Sequence, residues 1–147
     1  IFFSQDMIGK NNKIIKIWKF RSMPEEGERV PTRVGRLLRA LRIDEWPQFW
    51  NILKGDLSLI GPRPEIPTLV KHYEDEISYY NVRHLIKPGL SGWAQLYHYD
   101  PPKVVANALK TRRKLSYDLY YIKNRSLMLD LKIALKTLKV LISRSGV

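Results

Sequence analysis

The sequence predicts an α+β fold, mostly α-helical, with a short N-terminal β-hairpin, helices around an active-site loop, and amphipathic interfacial helices at the C-terminus. Three observations lead there. Ile and Phe concentrate in the first twenty residues around a polar Gly9-Lys10-Asn11-Asn12-Lys13 centre. Cap and stop residues then punctuate a series of helical segments, and the last third reads as two longer helices. At 147 residues and 17.3 kDa, with 44% hydrophobic and 27% charged residues, the chain suits one compact domain, neither disordered nor a membrane bundle. Residues 1–147 are expected to form that single domain.

Taken in order, Ile1 to Phe20 reads as the hairpin, and Met23 to Pro31, with Pro24, Gly27 and Pro31, as a loop. Thr32 is a cap for a helix running to about Arg42. Asp44 is a cap candidate for the next, which holds Trp46, Phe49, Trp50, Ile52 and Leu53 and tolerates Pro47 in its first turn. Gly55 is a natural stop. Asp56 to Ile60 is extended or turning, and leads into Gly61-Pro62-Arg63-Pro64. Pro67 to about Leu85 reads as helix, Lys87 to Gly92 as a tight turn, and Asp100-Pro101-Pro102 as a break. Helices over about Val104–Ile122 and Leu127–Ile142 follow, the second capped by Ser126.

The chain carries 26 Lys+Arg against 14 Asp+Glu, a net charge of +12, which calls for an anionic partner: nucleic acid, acidic lipid or phosphorylated substrate. Eleven basic and two acidic residues fall between Lys103 and Val147, so +9 of the excess sits there. Without cysteine there are no disulfides, thiolate metal sites or thiol nucleophiles, and His72, His84 and His98 lack metal-ligand spacing. No apolar run reaches the ~18 residues of a spanning helix. The chain opens on Ile-Phe-Phe rather than Met, so it reads as a fragment.

Four groups of residues could carry chemistry. Asp44 and Glu45 are adjacent, and helical neighbours point about 100° apart, which does not suit an acid/base pair across a glycosidic bond. Adjacency suits one carboxylate as a nucleophile or Mg²⁺ ligand and the other as its orienting or metal-binding neighbour. The plainer alternative, which spacing alone favours, is that Asp44 caps a helix and Glu45 sits well at its positive end. In the second group, Pro62 and Pro64 fix the backbone around Arg63, so a guanidinium fork is presented to phosphate with little entropy left to lose, and Gly61 permits close backbone approach. The alternative there is a structural arginine tied to a carboxylate such as Asp56. The third group is the basic set Lys16, Lys19, Arg21, Arg33, Arg36, Arg39 and Arg42; most of it reads as a solvated face, but Arg39 lies close enough to Asp44 to neutralise a phosphate held there. In the last helix Lys132, Lys136 and Lys139 fall within about 60° of one another opposite a broad apolar arc, as in a helix lying on an anionic bilayer or in an ordinary packed helix.

Together these pieces resemble one family. The run from Leu38 through Asp44-Glu45-Trp46-Pro47-Gln48, then Asn51-Ile52-Leu53-Lys54-Gly55-Asp56-Leu57-Ser58-Leu59-Ile60-Gly61-Pro62-Arg63-Pro64, resembles the bacterial sugar transferases, the monotopic polyprenyl-phosphate phosphoglycosyl transferases. Lys19-Phe20-Arg21-Ser22-Met23, Lys87-Pro88-Gly89-Leu90-Ser91-Gly92-Trp93-Ala94-Gln95 and Tyr117-Asp118-Leu119-Tyr120-Tyr121 match further signatures of that family, in order along nearly the whole chain. The resemblance implies transfer of a sugar 1-phosphate from a UDP-sugar to polyprenyl (undecaprenyl) phosphate, initiating exopolysaccharide, O-antigen or glycan assembly. Asp44 would attack the β-phosphate to give a phosphosugar-aspartate and release UMP, with Glu45 completing the dyad and Mg²⁺ held by both. Arg39, Arg63 and the Gly61-Pro62-Arg63-Pro64 loop would bind phosphate, with Lys19 and Arg21 behind them. The implied setting is the cytoplasmic face of the bacterial inner membrane, with Lys132, Lys136 and Lys139 facing an anionic surface.

The resemblance also implies a hydrophobic re-entrant helix before residue 1, and the larger members make a homodimer conceivable. After Gln95 the Leu96-Tyr97-His98-Tyr99-Asp100-Pro101-Pro102 stretch departs from the Val-Asn-Gly-Arg of many members and looks like the larger ones, so sugar contacts do not carry over. A nucleic-acid module would interleave aromatic and basic residues, whereas Tyr117, Tyr120 and Tyr121 follow an apolar helical pattern; no nucleic-acid partner is expected. A non-catalytic membrane anchor would have no use for Asp44, Glu45 or Arg63.

Overall fold

A computed structural model describes residues 1–24, 30–97 and 107–143. The chain opens with the expected hairpin: β1 (Phe2–Ile8) pairs antiparallel with β2 (Ile14–Phe20), Phe2 opposite Phe20 and Ile8 opposite Ile14. Asn11 and Asn12 adopt left-handed φ values of 55° and 60° in the connecting turn, a conformation asparagine tolerates. Alternation along β2 puts Ile15, Ile17 and Lys19 on one face. Ile17 is buried with Met7 and Leu57, so Lys19 continues the core-facing row at its far end.

Thr32 caps α1 (Arg33–Ala40), its Oγ1 accepting from Gly35 N–H at 2.9 Å. Arg42, at φ 57°, then turns the chain into a single 3₁₀ turn, Ile43–Glu45. α2 (Gln48–Lys54) begins only after Pro47 and ends at Gly55, whose φ of 90° makes it a left-handed stop. Asp44 therefore lies inside a turn and does not cap α2. The capping alternative fails because Pro47, in helical conformation, already occupies the position before the first helical residue. Buried Asn51 ties α2 to the hairpin: its Oδ1 accepts from Trp18 N–H at 3.1 Å and its Nδ2 donates to Lys16 O at 2.6 Å.

Two expectations give way downstream. Pro67–Leu85 is not one helix: α3 (Pro67–Glu76) stops where Ile77 turns extended to bury its side chain, and a 3₁₀ segment, Tyr80–Leu85, follows after left-handed Tyr79. Lys87–Gly92 is not merely a turn, because β3 (Ser58–Ile60) pairs in parallel with β4 (Gly89–Ser91). Glycines make that pairing possible. A Cβ on Gly61 would lie 2.7 Å from Lys87 O and 2.9 Å from Gly89 N, and one on Gly89 would collide with the Gly61 backbone. The close approach expected of Gly61 is thus approach to a neighbouring strand.

A short α4 (Trp93–Leu96) leads towards α5 (Ala108–Asn124), capped by Asn107, and α6 (Leu127–Ser143), whose start is held by Ser126 Oγ accepting from Leu129 N–H. The Asp100-Pro101-Pro102 break and residues 104–106 of the expected fifth helix lie outside the described residues. Trp93, Tyr121 and Ile133 bury the joint between α4, α5 and α6, while Tyr73, Tyr80, Val70 and Leu115 bury that between α3 and α5.

A balanced buried ion network runs through the centre. Arg83 pairs with Asp118 at 3.0 Å and Glu65 at 3.2 Å, Lys114 pairs with Glu65, and Tyr80 donates to Glu65. Arg83 and Lys114 hold Glu65 well below the usual range despite burial, at about 2, whereas burial pushes Asp118 up. His84, edge-on to Tyr80, is pushed down to about 4 by burial and by Arg83.

Gly89→Ala should destabilise the chain by about 3 kcal/mol in urea unfolding, because backbone rather than a flexible side chain meets the added carbon. The unfolded chain takes up a proton on His84 below about pH 6.5, but the native chain does so only near 4. The neutral ring therefore supports stability that is lost as pH falls through that window. His84→Gln should flatten the unfolding midpoint between pH 6.5 and 4 relative to the parent.

Candidate functional site

Four separate segments meet at the Ile43–Glu45 turn. The end of β2 supplies Lys19, the last turn of α1 supplies Arg39, the turn itself supplies Asp44 and Glu45, and the proline-flanked loop after β3 supplies Arg63. Arg63 Nη2 donates to Glu45 Oε1 at 2.5 Å, both side chains being nearly buried, and Arg42 Nη1 lies 3.7 Å from Glu45 Oε2. The structural alternative for Arg63 thus involves Glu45 and not Asp56, whose carboxylate lies 3.5 Å from Lys54 Nζ. Arg39 Nε donates to Ser22 Oγ at 2.8 Å, which anchors the guanidinium of an otherwise exposed residue, and the Cβ-less face of Gly35 allows α1 to lie against Ser22.

The electrostatics divide the two carboxylates. Burial raises Asp44 above the ordinary carboxylate range, and Glu45 adds to this, while Arg39, Lys19 and Arg42 oppose it. Glu45 is also penalised by burial, yet Arg63, Lys19 and Arg42 bring it below its usual value. Lys19 is lowered by burial and then by Arg63, against the pull of Glu45 and Asp44. Cations thus outnumber carboxylates around the turn, so an arriving diphosphate would complete the charge balance.

Of the residues picked out in the sequence, the structure brings together Lys19, Arg39, Asp44, Glu45 and Arg63. Pro62 and Pro64 flank Arg63 as expected. Arg21 follows β2, its N–H donating to Ile1 O at 2.8 Å, and is not among the leading charges on either carboxylate. In α6, Lys132 and Lys136 lie away from the turn, with their ammonium groups 5.6 and 5.7 Å from the centre of the Trp93 ring. Sequence reasoning passed over Asn51, Ser22 and Arg83. An asparagine inside a helix is the one visible signal, since that residue is a poor helix former kept for its side chain.

Glu45 is also among the residues lining a large groove of about 1360 Å³ between α2 and α6, with Trp46, Phe49, Leu59, Leu131 and Leu138 among its walls and Arg42, Lys87 and Arg125 along it. Its lining includes exposed apolar side chains: Trp46 at 59%, Leu59 at 54% and Leu127 at 86%. Among the described residues no helix is long and apolar enough to cross a membrane.

Metal ligation at the turn would rest on two carboxylates, since no cluster of three metal-binding side chains occurs among the described residues. Two hard oxygen donors with substrate phosphate and water completing the shell is the way Mg²⁺ is commonly held. By donor chemistry Asp44 and Glu45 are of the type that ion takes, with both Glu45 oxygens facing guanidinium groups in this structure.

The profile of the family described as bacterial sugar transferase matches residues 1–144. The chain is 46% identical to a UDP-N-acetylgalactosamine-undecaprenyl-phosphate N-acetylgalactosaminephosphotransferase of Aeromonas hydrophila, over 99% of its own length and 36% of that protein's. It is 38% identical to the uncharacterized sugar transferase EpsL of Bacillus subtilis, covering 100% of this chain and 72% of that one. It is 36% identical to a UDP-glucose:undecaprenyl-phosphate glucose-1-phosphate transferase of Escherichia coli, covering 93% and 32% respectively. The chain thus spans about a third of two of these relatives and nearly three quarters of the third.

In a carboxyl-resolved NMR titration Glu45 should ionise below the ordinary glutamate range and Asp44 above the ordinary aspartate range. Arg63→Met should move Glu45 upward. An unmoved Glu45 would contradict the pairing.

Proposed function

The chain belongs to the bacterial sugar transferase family, and on that premise we propose that the protein transfers a sugar 1-phosphate from a UDP-sugar to polyprenyl phosphate at the cytoplasmic face of the bacterial inner membrane. The observation that carries this reading is the pairing of unlike carboxylates on one turn: Glu45, neutralised by Arg63, beside Asp44, which lies among Arg39, Lys19 and Arg42.

In the first step a carboxylate oxygen of Asp44 attacks the β-phosphorus of the donor. The bond from that phosphorus to the oxygen bridging the two phosphates breaks, and UMP leaves with the electron pair. A phosphosugar-aspartate remains. In the second step a phosphate oxygen of the polyprenyl phosphate attacks the same phosphorus, the aspartyl oxygen–phosphorus bond breaks, and Asp44 is restored as a carboxylate beside a polyprenyl diphosphate sugar. Arg63 and Arg39 hold phosphate oxygens by forked, charge-assisted hydrogen bonds, and Lys19 supplies charge from the end of β2. Mg²⁺ bound at Asp44 and Glu45 would supply charge neutralisation of the diphosphate. Glu45, fixed by Arg63, holds the turn so that Asp44 keeps its aim.

The groove lined in part by Glu45 suits an acceptor with an apolar tail, and its exposed Trp46 and Phe49 suit contact with a bilayer. On this reading α2 and α6 are interfacial elements, with Lys139 and the other α6 lysines near an anionic surface.

The test follows UMP release by the full-length protein in nanodiscs with Mg²⁺, a panel of UDP-sugars and undecaprenyl phosphate. Asp44→Asn should abolish turnover while leaving the melting temperature near that of the parent. Arg63→Lys should reduce kcat/KM by about 10²-fold or more, since a point charge does not replace a fork. Near-normal turnover of Asp44→Asn would remove Asp44 from the mechanism.

A further inference from the structure

We propose that Arg83 is a positioning residue for Arg63: a buried guanidinium that touches no substrate but sets the backbone from which the phosphate-holding fork is presented. This rests on the reading of Arg63 given above. Arg83 is 2% exposed in its side chain and reaches three kinds of partner. Its Nε and Nη2 face Asp118 at 3.1 and 3.0 Å, its Nη1 faces Tyr80 Oη at 3.0 Å and Glu65 at 3.2 Å, and its Nη2 also donates to the main-chain carbonyl of Arg63 at 2.7 Å.

That last bond separates a positioning role from a packing one. Pairing with Asp118 and Glu65 would balance charge in any core; donation to one carbonyl in the site loop fixes where that residue sits. Two residues on, Glu65 is pinned by Lys114 through its carboxylate and by Ile8 N–H through its carbonyl at 2.9 Å. Pro62 and Pro64 remove φ freedom on either side. The loop is therefore held at Arg63 O and again at Glu65, which leaves the Arg63 side chain to make its 2.5 Å contact with Glu45. An ammonium at position 83 keeps the charge but cannot serve two carboxylates, a hydroxyl and a carbonyl in one plane.

The test is a double-mutant cycle on UMP release by the full-length protein in nanodiscs. Arg83→Lys is measured in the parent and in the Arg63→Lys background, with the melting temperature of every variant recorded. Asp118→Asn, which loosens the Arg83 fork without removing it, runs in the same cycle and carries it should Arg83→Lys not fold. The expected result is a loss of about 10²-fold in kcat/KM in the parent, as for an angstrom-scale misplacement, shrinking to less than about 3-fold once Arg63 is already lysine, as for groups acting as one unit. Equal losses in both backgrounds, with Arg63→Lys itself impaired, would overturn the positioning role and leave Arg63 as the phosphate ligand. Parent-like turnover of Arg63→Lys would overturn both.

Discussion

The buried guanidinium of Arg83 is the constraint on which the rest of the site depends. Two cations, Arg83 and Lys114, and two carboxylates, Glu65 and Asp118, are withdrawn from water together, so the network is neutral as a set although each member alone would be costly. Such a set is no strong source of stability. Its value is directional, because each charge accepts only the geometry that satisfies the others. Asp118 comes from α5, Arg83 from the 3₁₀ segment after α3, and Glu65 from the loop beyond β3. The network thereby joins helices distant in sequence to the few residues that carry Arg63.

From that frame the site is assembled by short-range devices. Gly61 and Gly89 let β3 and β4 run side by side, and the chain passes from buried Pro62 to partly buried Arg63 just beyond them. Asn51 fastens α2 to the hairpin, and so sets the turn before it against Lys19. Ser22 holds Arg39 at the end of α1. Arg42, in a left-handed conformation unusual for its type, reverses the chain immediately before the two carboxylates. The result is a cluster of mostly positive charge around Asp44 and Glu45, with Glu45 and Arg42 also lining the large apolar groove.

What was legible in the sequence was what local chemistry decides. The hairpin around Gly9–Lys13, the Thr32 cap, the Gly55 stop and the Ser126 start depend on a few neighbouring residues. The failures are all tertiary. Ile77 leaves helical conformation to bury its side chain, and the Gly89 strand exists only because β3 lies beside it. Asp44 shows the limit most clearly. Its position before an apolar helical run suits a cap, and only the fold reveals that Pro47 takes that place and leaves the carboxylate in the site turn. The grouping of Lys19, Arg39, Asp44, Glu45 and Arg63 was suggested by family resemblance; Arg83, an arginine among helix-forming residues, gave no signal at all.

The central claim is that Asp44 carries the sugar phosphate between two substrates, and intact-protein mass spectrometry tests it most directly. The full-length protein is mixed with Mg²⁺ and the UDP-sugar it turns over, without lipid, and quenched. The account predicts a mass increase of one sugar phosphate, confined to the peptide containing Asp44 and lost when polyprenyl phosphate is added. Protein that stays unmodified throughout, with UMP appearing only in the presence of lipid, would contradict it and point to a single direct displacement.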